Sequence, residues 1–323
     1  MQIEEFLEEW RSPSACVHVQ TSGSTGRPKP MLVEKRRMLA SARITCDFLG
    51  LRPGDTALLC MSLDYIAGKM MVVRSLERRL RLIQVETSGH PLQAGGGLPD
   101  SIDFAAMVPM QVYNSLQVAA ERERLRQIRH LIIGGGAVDD GLAAELKTFP
   151  HAVWSTYGMT ETLSHIALRR LSGPEASEWY TPFTTVQVSL NEDGCLVIDA
   201  PEVCAGRLVT NDIAELSPDG LSFRIVGRKD NVICSGGIKI QAEEVERRLR
   251  PHLAAPFLLT KRTDPKFGEV AVLLTEGPVE EARRVCEALL PKYHQPKAYV
   301  HVGRIPLTAT GKPARHEAQL LAQ

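Results

Sequence analysis

Residues 21–29, TSGSTGRPK, combine glycines, hydroxyl side chains and a lysine in a pattern that suits a phosphate. Gly23 and Gly26 allow the backbone to turn its N–H groups inward as an anion nest, and Lys29 adds a positive charge. A Walker A loop runs directly into a helix, but the prolines on both sides of Lys29 prevent this. The stretch therefore predicts a phosphate-binding loop of another class. A plain polar connection between a strand and a helix is the alternative.

The composition is that of an ordinary globular chain without a charge excess. Of 323 residues, 44% are hydrophobic and 24% charged, and 38 basic side chains balance 38 acidic ones. A nucleic-acid-binding protein would usually carry a basic excess, and no apolar run approaches the roughly 20 residues of a membrane span. Seven scattered cysteines without metal-ligand spacing indicate free thiols in a reducing compartment. We expect a soluble cytoplasmic protein that binds neither nucleic acid nor membrane, and the sequence leaves homo-oligomerisation open.

Short apolar runs alternate with helical patterns over the first two-thirds of the sequence. This alternation predicts an α/β fold with a large parallel or mixed sheet covered by helices. After residue 186 the sequence is β-rich, with a hairpin signal at Glu-Asp-Gly, and from about residue 228 a strand–helix pattern is typical of a small α+β domain. The predicted domains are 1–227 and 228–323, with strands at 15–20, 56–61, 79–86, 102–109, 130–136 and 151–158 and helices at 34–49, 111–128 and 139–147.

Four further motifs follow the phosphate-directed stretch along the chain. They are STYGMTET at 155–162, LVTNDIAEL at 208–216, GRKDNVICSGGIKIQAEEVE at 227–246 and PLTATGKPAR at 306–315. Together with the first stretch they resemble the motifs of the adenylate-forming superfamily of acyl-CoA synthetases, peptide-synthetase adenylation domains and luciferases. The resemblance implies a shortened N-terminal adenylation core and a small, mobile C-terminal lid domain. It also implies that a carboxylic acid is activated with ATP.

The resemblance assigns the triphosphate of ATP to the first two motifs. The loop would hold the β- and γ-phosphates, Thr160 would donate to the α-phosphate, and Glu161 would ligate Mg²⁺, a cation that prefers oxygen. Adenylation brings two anions together, so the reaction needs positive charge and aligned donors. The loop residues in question are Thr21, Ser22, Gly23, Ser24, Thr25, Gly26 and Lys29.

The nucleoside is assigned to four stretches. A glycine-rich segment and the tyrosine of STYGMTET would frame adenine, although a core aromatic residue is the alternative interpretation of that tyrosine. Asp212 would accept from both ribose hydroxyls, since an ionised carboxylate is only an acceptor, and Arg228 would also reach the ribose. Asn211 stands where the family usually has glycine. The adenine residues are Gly135, Gly136, Ala137 and Tyr157, and Gly158 is a further nucleotide-binding residue.

Lys312 lies in a Thr-Gly-Lys-Pro loop and corresponds to the family's catalytic lysine. By resemblance, it bridges the carboxylate and the α-phosphate during adenylation only. Lys229 matches the family's hinge position, and rotation there would replace Lys312 by Gly236 and Gly237, which would line a channel for the thiol of CoA. Taken alone, a near-terminal lysine is almost always a solvated charge.

A narrower resemblance indicates the acid. Most superfamily members carry an extra lobe before the phosphate loop, which here begins near residue 21. This compact form resembles short o-succinylbenzoate–CoA ligases of menaquinone biosynthesis, with further matches at 62–74, 164–171 and 178–183.

The acid o-succinylbenzoate has two carboxylates, and the one that does not react would need a cationic pocket because a buried unpaired charge is costly. Tyr65, Lys69 and His165 are the predicted substrate residues, and Arg74 is a further candidate cation. For Arg74 the alternative is a residue that caps or shields a helix. For His165 the alternative is a buried structural histidine.

Three other functions fit the same motifs. The chain could be a ligase for another acyl or aryl acid, a non-catalytic AMP-binding module, or an enzyme that loads the phosphopantetheine of a carrier protein. The joint presence of Lys29, Glu161, Asp212 and Lys312 argues against the non-catalytic module. ATP, Mg²⁺ and CoA are the cofactors and co-substrates that the resemblance implies.

Overall fold

The computed structural model describes residues 1–20, 30–93, 97–308 and 313–323. Its first compact unit comprises Met1–Val188, Ile198–Leu208 and Ser217–Phe223, and its second comprises Ser189–Val197, Val209–Leu216 and Arg224–Gln323. The domain boundary at residues 227 and 228 stays a prediction. The helices of the described chain are α1 (Ile3–Arg11), α2 (Lys35–Phe48), α3 (Ile66–Arg78), α4 (Pro109–Gln117), α5 (Ala119–Arg126), α6 (Asp140–Leu146), α7 (Ala242–Leu249), α8 (Val279–Leu289) and α9 (Arg315–Leu321).

The strands form separate sheets. In the described residues β1 and β2 are an antiparallel pair, and β10, β11, β12 and β13 form a four-stranded sheet in that order. The strands are β1 (Cys16–Gln20), β2 (Pro30–Glu34), β3 (Thr56–Leu59), β4 (Arg81–Gln84), β5 (Phe104–Met107), β6 (His130–Ile133), β7 (Ala152–Gly158), β8 (His165–Arg170), β9 (Thr181–Pro182), β10 (Gln187–Leu190), β11 (Cys195–Asp199), β12 (Leu208–Leu216), β13 (Phe223–Arg228), β14 (Val232–Ser235), β15 (Ile238–Gln241), β16 (Phe257–Asp264), β17 (Gly268–Thr275) and β18 (Ala298–His301).

The large sheet of the first unit has the order β4-β3-β5-β6-β7-β8-β9 in the described residues. Strands β4, β3, β5, β6 and β7 pair in parallel, and β8 and β9 are antiparallel. The predicted mixed sheet is confirmed. All four residues of β5 are buried, as expected for a strand whose two faces are both covered.

The core of this unit fixes the parallel strands against their helices. Leu58, Met107, Leu131 and Val153, one from each of β3, β5, β6 and β7, are at most 1% exposed and belong to one cluster. Burying one such side chain contributes about 1.5–3 kcal/mol. The strand ends are therefore a rigid base for the residues that follow them.

Helix α3 packs beside this sheet and was not predicted from the sequence. Its residues from Gly68 to Ser75 are all buried, so no polar face marks it as a surface helix. A Cβ atom at Gly68 would lie 2.3 Å from the carbonyl oxygen of Ser62, so the helix packs directly on the preceding turn.

The single helix predicted over 111–128 is wrong, because α4 and α5 are separated by Val118 in extended backbone. The break allows the buried Glu121 to accept a hydrogen bond from Ser115 Oγ at 3.0 Å. The other carboxylate oxygen of Glu121 lies 3.0 Å from Nδ1 of His90. The helix was predicted from the spacing of apolar residues, and a polar contact that spans the break does not alter that spacing.

The second unit contains the sheet β15-β14-β17-β16, with β18 parallel to β17. Helices α7 and α8 contribute to one core cluster, and α9 contributes to another. The helix and strand predicted from 242 onward correspond to α7 and β16.

All seven cysteines are free, as the sequence predicted. None of the helices in the described residues has both the length and the apolar character that a bilayer crossing requires.

Candidate active site

Three connections of the first unit follow the carboxyl ends of parallel strands. Residues 60–65 follow β3, residues 134–137 follow β6 and residues 159–161 follow β7. Parallel strands end at the same edge, so these connections lie along one edge of the sheet. Strands β4 and β5 lie on opposite sides of β3, so the direction in which strands are added reverses there. Open α/β sheets bind ligands at the edge where such a reversal occurs.

The connection after β6 consists mostly of glycine and is partly exposed to solvent. A Cβ atom at Gly134 would lie 2.5 Å from Oγ1 of Thr156, and Gly135 has a φ of +78°, so glycine is required at both positions. The N–H of Gly134 donates to the carbonyl of Met107 at 3.0 Å. Gly135 and Ala137 are exposed, and Gly136 is half-buried. A flat ring can therefore approach the backbone of the predicted adenine residues.

Strand β7 ends at Gly158, which pairs with His165 of β8 at a register shift. A Cβ atom at Gly158 would lie 2.2 Å from the carbonyl oxygen of Ser164. The close approach brings the start of β8 to the same level as the carboxyl end of β7. Residues 164 and 165 consequently belong to the ligand-facing edge of the sheet.

The segment between these two strands contains a strained turn. A 3₁₀ helix covers Thr160–Thr162, and Leu163 follows it with a φ of 65° and a ψ of −38°. The N–H of Ser164 donates to the carbonyl of Thr162 at 2.7 Å, which closes a γ-turn with a positive central φ. Such backbone persists where the surroundings over-determine it, and Leu163 is buried. The turn ties the Thr160–Glu161 pair to Ser164.

The predicted magnesium ligand fits a site that is completed by substrate. Glu161 is exposed and Thr160 is half-buried at the start of the 3₁₀ helix. In the described residues no three His, Cys, Asp or Glu side chains are grouped as a metal cage. Mg²⁺ usually keeps waters and is bound by one or two carboxylates together with phosphates, so a single accessible carboxylate suits it.

Tyr157 lies in an aromatic group at the end of β7. Its ring meets Phe223 edge-on at 5.1 Å, and Tyr180 stacks on Phe223 at 5.6 Å. Tyr157 is half-buried, so one part of the ring packs while another remains accessible. This arrangement is compatible with an adenine contact and with an aromatic packing role.

Two predicted substrate residues lie at the start of α3. Tyr65 precedes the helix, is half-buried and forms a parallel bridge with Gln20, the last described residue before the phosphate-directed stretch. Lys69 is buried, its amine donates to the carbonyl of His18, and it lies over the ring of Phe6 at 5.6 Å. Burial lowers the pKa of the Lys69 amine. The lysine therefore already has internal partners.

Arg74, five residues further along α3, is a buried cation without an acidic partner in the described part of the chain. It is 2% exposed, and among the described residues no carboxylate lies within ion-pair distance of its guanidinium. Nη2 donates to Ser164 Oγ at 2.6 Å, whereas Nε has no hydrogen-bond partner in the described residues. Burial lowers the pKa of Arg74 to about 10, which still leaves it charged at neutral pH.

His165 is enclosed by the protein. Its Nε2 lies 3.1 Å from Oγ1 of Thr45, its Nδ1 lies 3.2 Å from Oγ of Ser164, and Phe183 packs on its ring at 5.5 Å. Burial, assisted by the charge of Arg74, lowers the pKa of His165 well below its ordinary value, so the imidazole is neutral. These contacts favour the buried structural histidine among the two interpretations.

The predicted ribose residues lie together in the second unit. Arg228 Nη1 donates to Oδ1 of Asp212 at 3.0 Å, and Nη2 donates to Asp230 at 3.1 Å. Asn211 donates to the same carboxylate oxygen of Asp230 at 3.2 Å. Asn211, which stands where the family usually has glycine, therefore holds Asp230, the residue next to the predicted hinge residue Lys229.

The predicted hinge residue, Lys229, starts a 3₁₀ turn, Lys229–Asn231. Its amine lies 2.7 Å from Oδ2 of Asp193, and both side chains are about half exposed, at 52% and 56%. Exposed ion pairs of this kind contribute about 1 kcal/mol or less, so the contact opens readily.

Gly236 and Gly237, predicted to line the CoA channel, form the two-residue turn between β14 and β15. Ser235 pairs with Ile238, and the two glycines have φ values of 57° and 84°. Positive φ at both central positions is the type I′ geometry that suits the twist of a hairpin. A Cβ atom at Gly237 would meet no atom within 4 Å, so this position faces open space.

We expect Gly237→Leu to lower the rate of thioester formation from acyl-adenylate about 10²-fold, because the new side chain obstructs thiol approach. Adenylation, measured as ATP–pyrophosphate exchange, should be retained. Gly54→Leu is the matched control, since Gly54 has a φ of +89° and also meets nothing within 4 Å. Undiminished CoA turnover in the Gly237 variant would contradict the channel assignment.

Some predicted residues lie outside the described residues. These are Thr21, Ser22, Gly23, Ser24, Thr25, Gly26 and Lys29 of the phosphate-directed stretch and Lys312 of the last motif. Their roles stay predictions.

Sequence reasoning missed Thr45 and Ser164, which both contact His165. Thr45 lies inside α2, and Ser164 follows the strained turn. Neither has a sequence signal, because their grouping depends on the pairing of β7 with β8 and on the packing of α2.

The large mixed sheet and the small α+β unit give the fold of the adenylate-forming enzymes. O-succinylbenzoate coenzyme A synthetase from Bacillus subtilis, solved in complex with ATP and magnesium ion, has a TM-score of 0.78 at 23% identity, over 93% of this chain and 69% of that one. An acyl-CoA synthetase (AMP-forming)/AMP-acid ligase II-like protein from Dyadobacter fermentans has a TM-score of 0.66 at 35% identity, over 97% and 92%.

Sequence comparison gives the family. The AMP-binding enzyme family matches residues 5–209, and the chain belongs to this family. A curated 2-succinylbenzoate–CoA ligase from Bacillus cereus is 26% identical over 349 residues, which cover 98% of this chain and 72% of the relative.

Proposed function

We propose that this protein is an acid–CoA ligase that forms AMP and acts on o-succinylbenzoate in menaquinone biosynthesis. In the first half-reaction a carboxylate oxygen attacks the α-phosphorus of ATP, and pyrophosphate leaves. In the second, the sulfur of CoA attacks the acyl carbon, AMP leaves, and the thiol proton is released. The family membership and the names of the relatives support this reaction.

The observation that carries the choice of acid is the buried guanidinium of Arg74. A buried cation without an acidic neighbour is unfavourable in the free protein unless an anion joins it. Arg74 reaches Ser164, at the edge of the sheet where Thr160 and Glu161 also lie. An acid with a second carboxylate would supply the missing charge, and o-succinylbenzoate has one.

The other residues have assigned roles in this proposal. Thr160 donates to the α-phosphate, Glu161 holds Mg²⁺, and Lys29 with its loop holds the terminal phosphates. Mg²⁺, when bound, neutralises charge on the phosphate oxygens. Asp212 and Arg228 hold the ribose, and free thiols with ATP and CoA as substrates support a cytoplasmic location.

The test of the proposed function is ATP–pyrophosphate exchange with purified protein and Mg²⁺. The acids are o-succinylbenzoate, its two monocarboxylate analogues, benzoate and a fatty acid, followed by thioester formation with CoA or a phosphopantetheinyl carrier protein. We expect exchange with o-succinylbenzoate and thioester formation with CoA. Exchange with none of these acids would contradict the ligase, and a preference for another acid would contradict the substrate.

Arg74→Met should lower kcat/KM for o-succinylbenzoate about 10²-fold or more, because the second carboxylate then enters the pocket unpaired. The free energy of unfolding, measured with urea, should stay unchanged or rise, since methionine removes a buried charge that has no acidic partner. Lys69→Met, on the same helix, is the comparison. If Lys69→Met lowers kcat/KM by about 10²-fold while Arg74→Met keeps full activity, Lys69 and not Arg74 pairs with the second carboxylate.

A further inference from the structure

A chain of hydrogen bonds runs from Arg74 through the half-buried Ser164 to His165 and α2. Arg74 Nη2 lies 2.6 Å from Ser164 Oγ, and Ser164 Oγ lies 3.2 Å from Nδ1 of His165. Nε2 of His165 lies 3.1 Å from Oγ1 of Thr45, which lies 3.0 Å from the carbonyl of Ser41. Thr45 is fully buried, and Ser41, Arg74 and His165 are each at most 7% exposed.

Chemistry fixes the direction of this chain. A guanidinium only donates, and a carbonyl only accepts, so the two ends are settled. Arg74 then donates to Ser164, Ser164 donates to Nδ1 of His165, Nε2–H donates to Thr45, and Thr45 donates to Ser41. In the opposite arrangement, Ser164 would sit between two donors, and its own hydrogen would have no acceptor among the described residues. The neutral imidazole therefore carries its proton on Nε2.

We propose that Thr45, His165 and Ser164 are positioning residues that aim the Arg74 guanidinium at the second carboxylate of the acid. The inference rests on the proposed function, because it concerns the pocket of that reaction. Nδ1 of His165 accepts the hydroxyl hydrogen of Ser164. A lone pair of Ser164 Oγ is then directed toward Arg74. The imidazole tautomer thus decides whether Ser164 can hold the guanidinium in one orientation.

The same serine connects the acid pocket to the predicted nucleotide residues. Its N–H closes the γ-turn on Thr162, immediately after the 3₁₀ helix that contains Thr160 and Glu161. A shift of the Ser164 backbone would therefore move both Arg74 and the Thr160–Glu161 pair. The hydroxyl of Ser164 orients Arg74 without a change in that backbone. The variants below should therefore change the binding of the acid and not that of ATP.

The experiment compares Thr45→Val with Thr45→Ser in the full-length protein. Valine has the shape of threonine but cannot accept from Nε2–H, so the imidazole loses the contact that fixes its ring and its hold on Ser164 weakens. We expect KM for o-succinylbenzoate to rise about 10-fold, with kcat and KM for ATP within about 2-fold of wild type; a well-placed buried hydrogen bond has this magnitude. Serine restores the acceptor and should restore KM. The monocarboxylate analogue that still reacts should be used equally by all three proteins.

The spectroscopic measurement is the ¹⁵N chemical shift of the two His165 nitrogens. Wild type and Thr45→Ser should show a hydrogen-bonded proton on Nε2, and Thr45→Val should show the Nε2 signal of an N–H without an acceptor. Thr275→Val is the control, because it removes another buried hydroxyl, at 2% exposure, in the other unit. Its KM for the acid should equal that of wild type.

An Nδ1 proton in wild type, or an unchanged KM in Thr45→Val, would overturn the inference. Equal losses for o-succinylbenzoate and its monocarboxylate analogue would also overturn it, since they would indicate a general packing defect. A wild-type enzyme that is indifferent to the second carboxylate would overturn both the inference and the proposed acid. Exchange with o-succinylbenzoate but no effect of Thr45→Val would leave the proposed function intact.

Discussion

Lys312→Ala is expected to lower ATP–pyrophosphate exchange about 10²–10³-fold, the scale of one preorganised electrostatic group. The reason is that the proposed role of Lys312 is to neutralise charge between the acid and the α-phosphate while they join. The variant should still convert preformed acyl-adenylate and CoA to thioester at nearly the wild-type rate. Both half-reactions are measured separately, the second with chemically prepared adenylate.

Lys292→Ala is the control for this prediction, because Lys292 is an exposed lysine of the same unit. It should leave both half-reactions unchanged. If Lys312→Ala lowers adenylation and thioester formation equally, the alternation of roles between the two half-reactions is wrong. Full exchange in Lys312→Ala would remove the residue from the catalytic group.

The second large effect concerns the stability of the second unit, where Arg315 pairs with the buried Glu246. Nη2 of Arg315 lies 2.7 Å from Oε2 of Glu246, and Nη1 lies 3.0 Å from Oε1. Oε1 also accepts from the N–H of Leu259 at 2.8 Å, and Nη1 donates to the carbonyl of Leu259 at 3.0 Å. The ion pair thus satisfies both outward backbone groups of a residue on β16, an edge strand of the sheet.

Arg315→Met should lower the free energy of unfolding by about 3–5 kcal/mol, because it leaves the Glu246 carboxylate buried without a cation. The double variant Glu246→Leu, Arg315→Met should recover much of this loss, since both charges are then gone. Urea unfolding followed by a probe in the second unit measures the difference.

Arg283→Met is the matched control, because its 3.7 Å pair with Glu280 is largely exposed. Such pairs contribute about 1 kcal/mol or less. An effect of Arg315→Met no larger than this control would show that the buried carboxylate tolerates the loss of its partner.

Local backbone chemistry was the part of the molecule that the sequence predicted well. The hairpin around Glu-Asp-Gly became β10 and β11, and the glycine turn at 236 and 237 has the left-handed φ values that only glycine adopts easily. Asp212 and Arg228, singled out in separate motifs, proved to be direct partners. These features depend on residue types within short stretches.

The surroundings of Arg74, the proposed contact of the acid, could not be predicted from the sequence. Thr45 and His165 are 120 positions apart, and only the packing of α2 against β8 brings them together. The sequence favoured Lys69 over Arg74 as the cation, whereas the structure gives Lys69 a carbonyl partner and leaves Arg74 without an acidic one among the described residues. Partners supplied by tertiary packing have no local signature.

The burial of the middle of α3 has a consequence for attempts to redirect the enzyme to new acids. From Met70 to Val73 each apolar side chain is buried, so enlarging or trimming one of them disturbs the close-packed interior. Tyr65, half-buried where the helix begins, carries no such constraint. Randomised libraries at Tyr65 should therefore change the proposed acid preference with less loss of folded protein than libraries across the buried apolar positions Met70 to Val73.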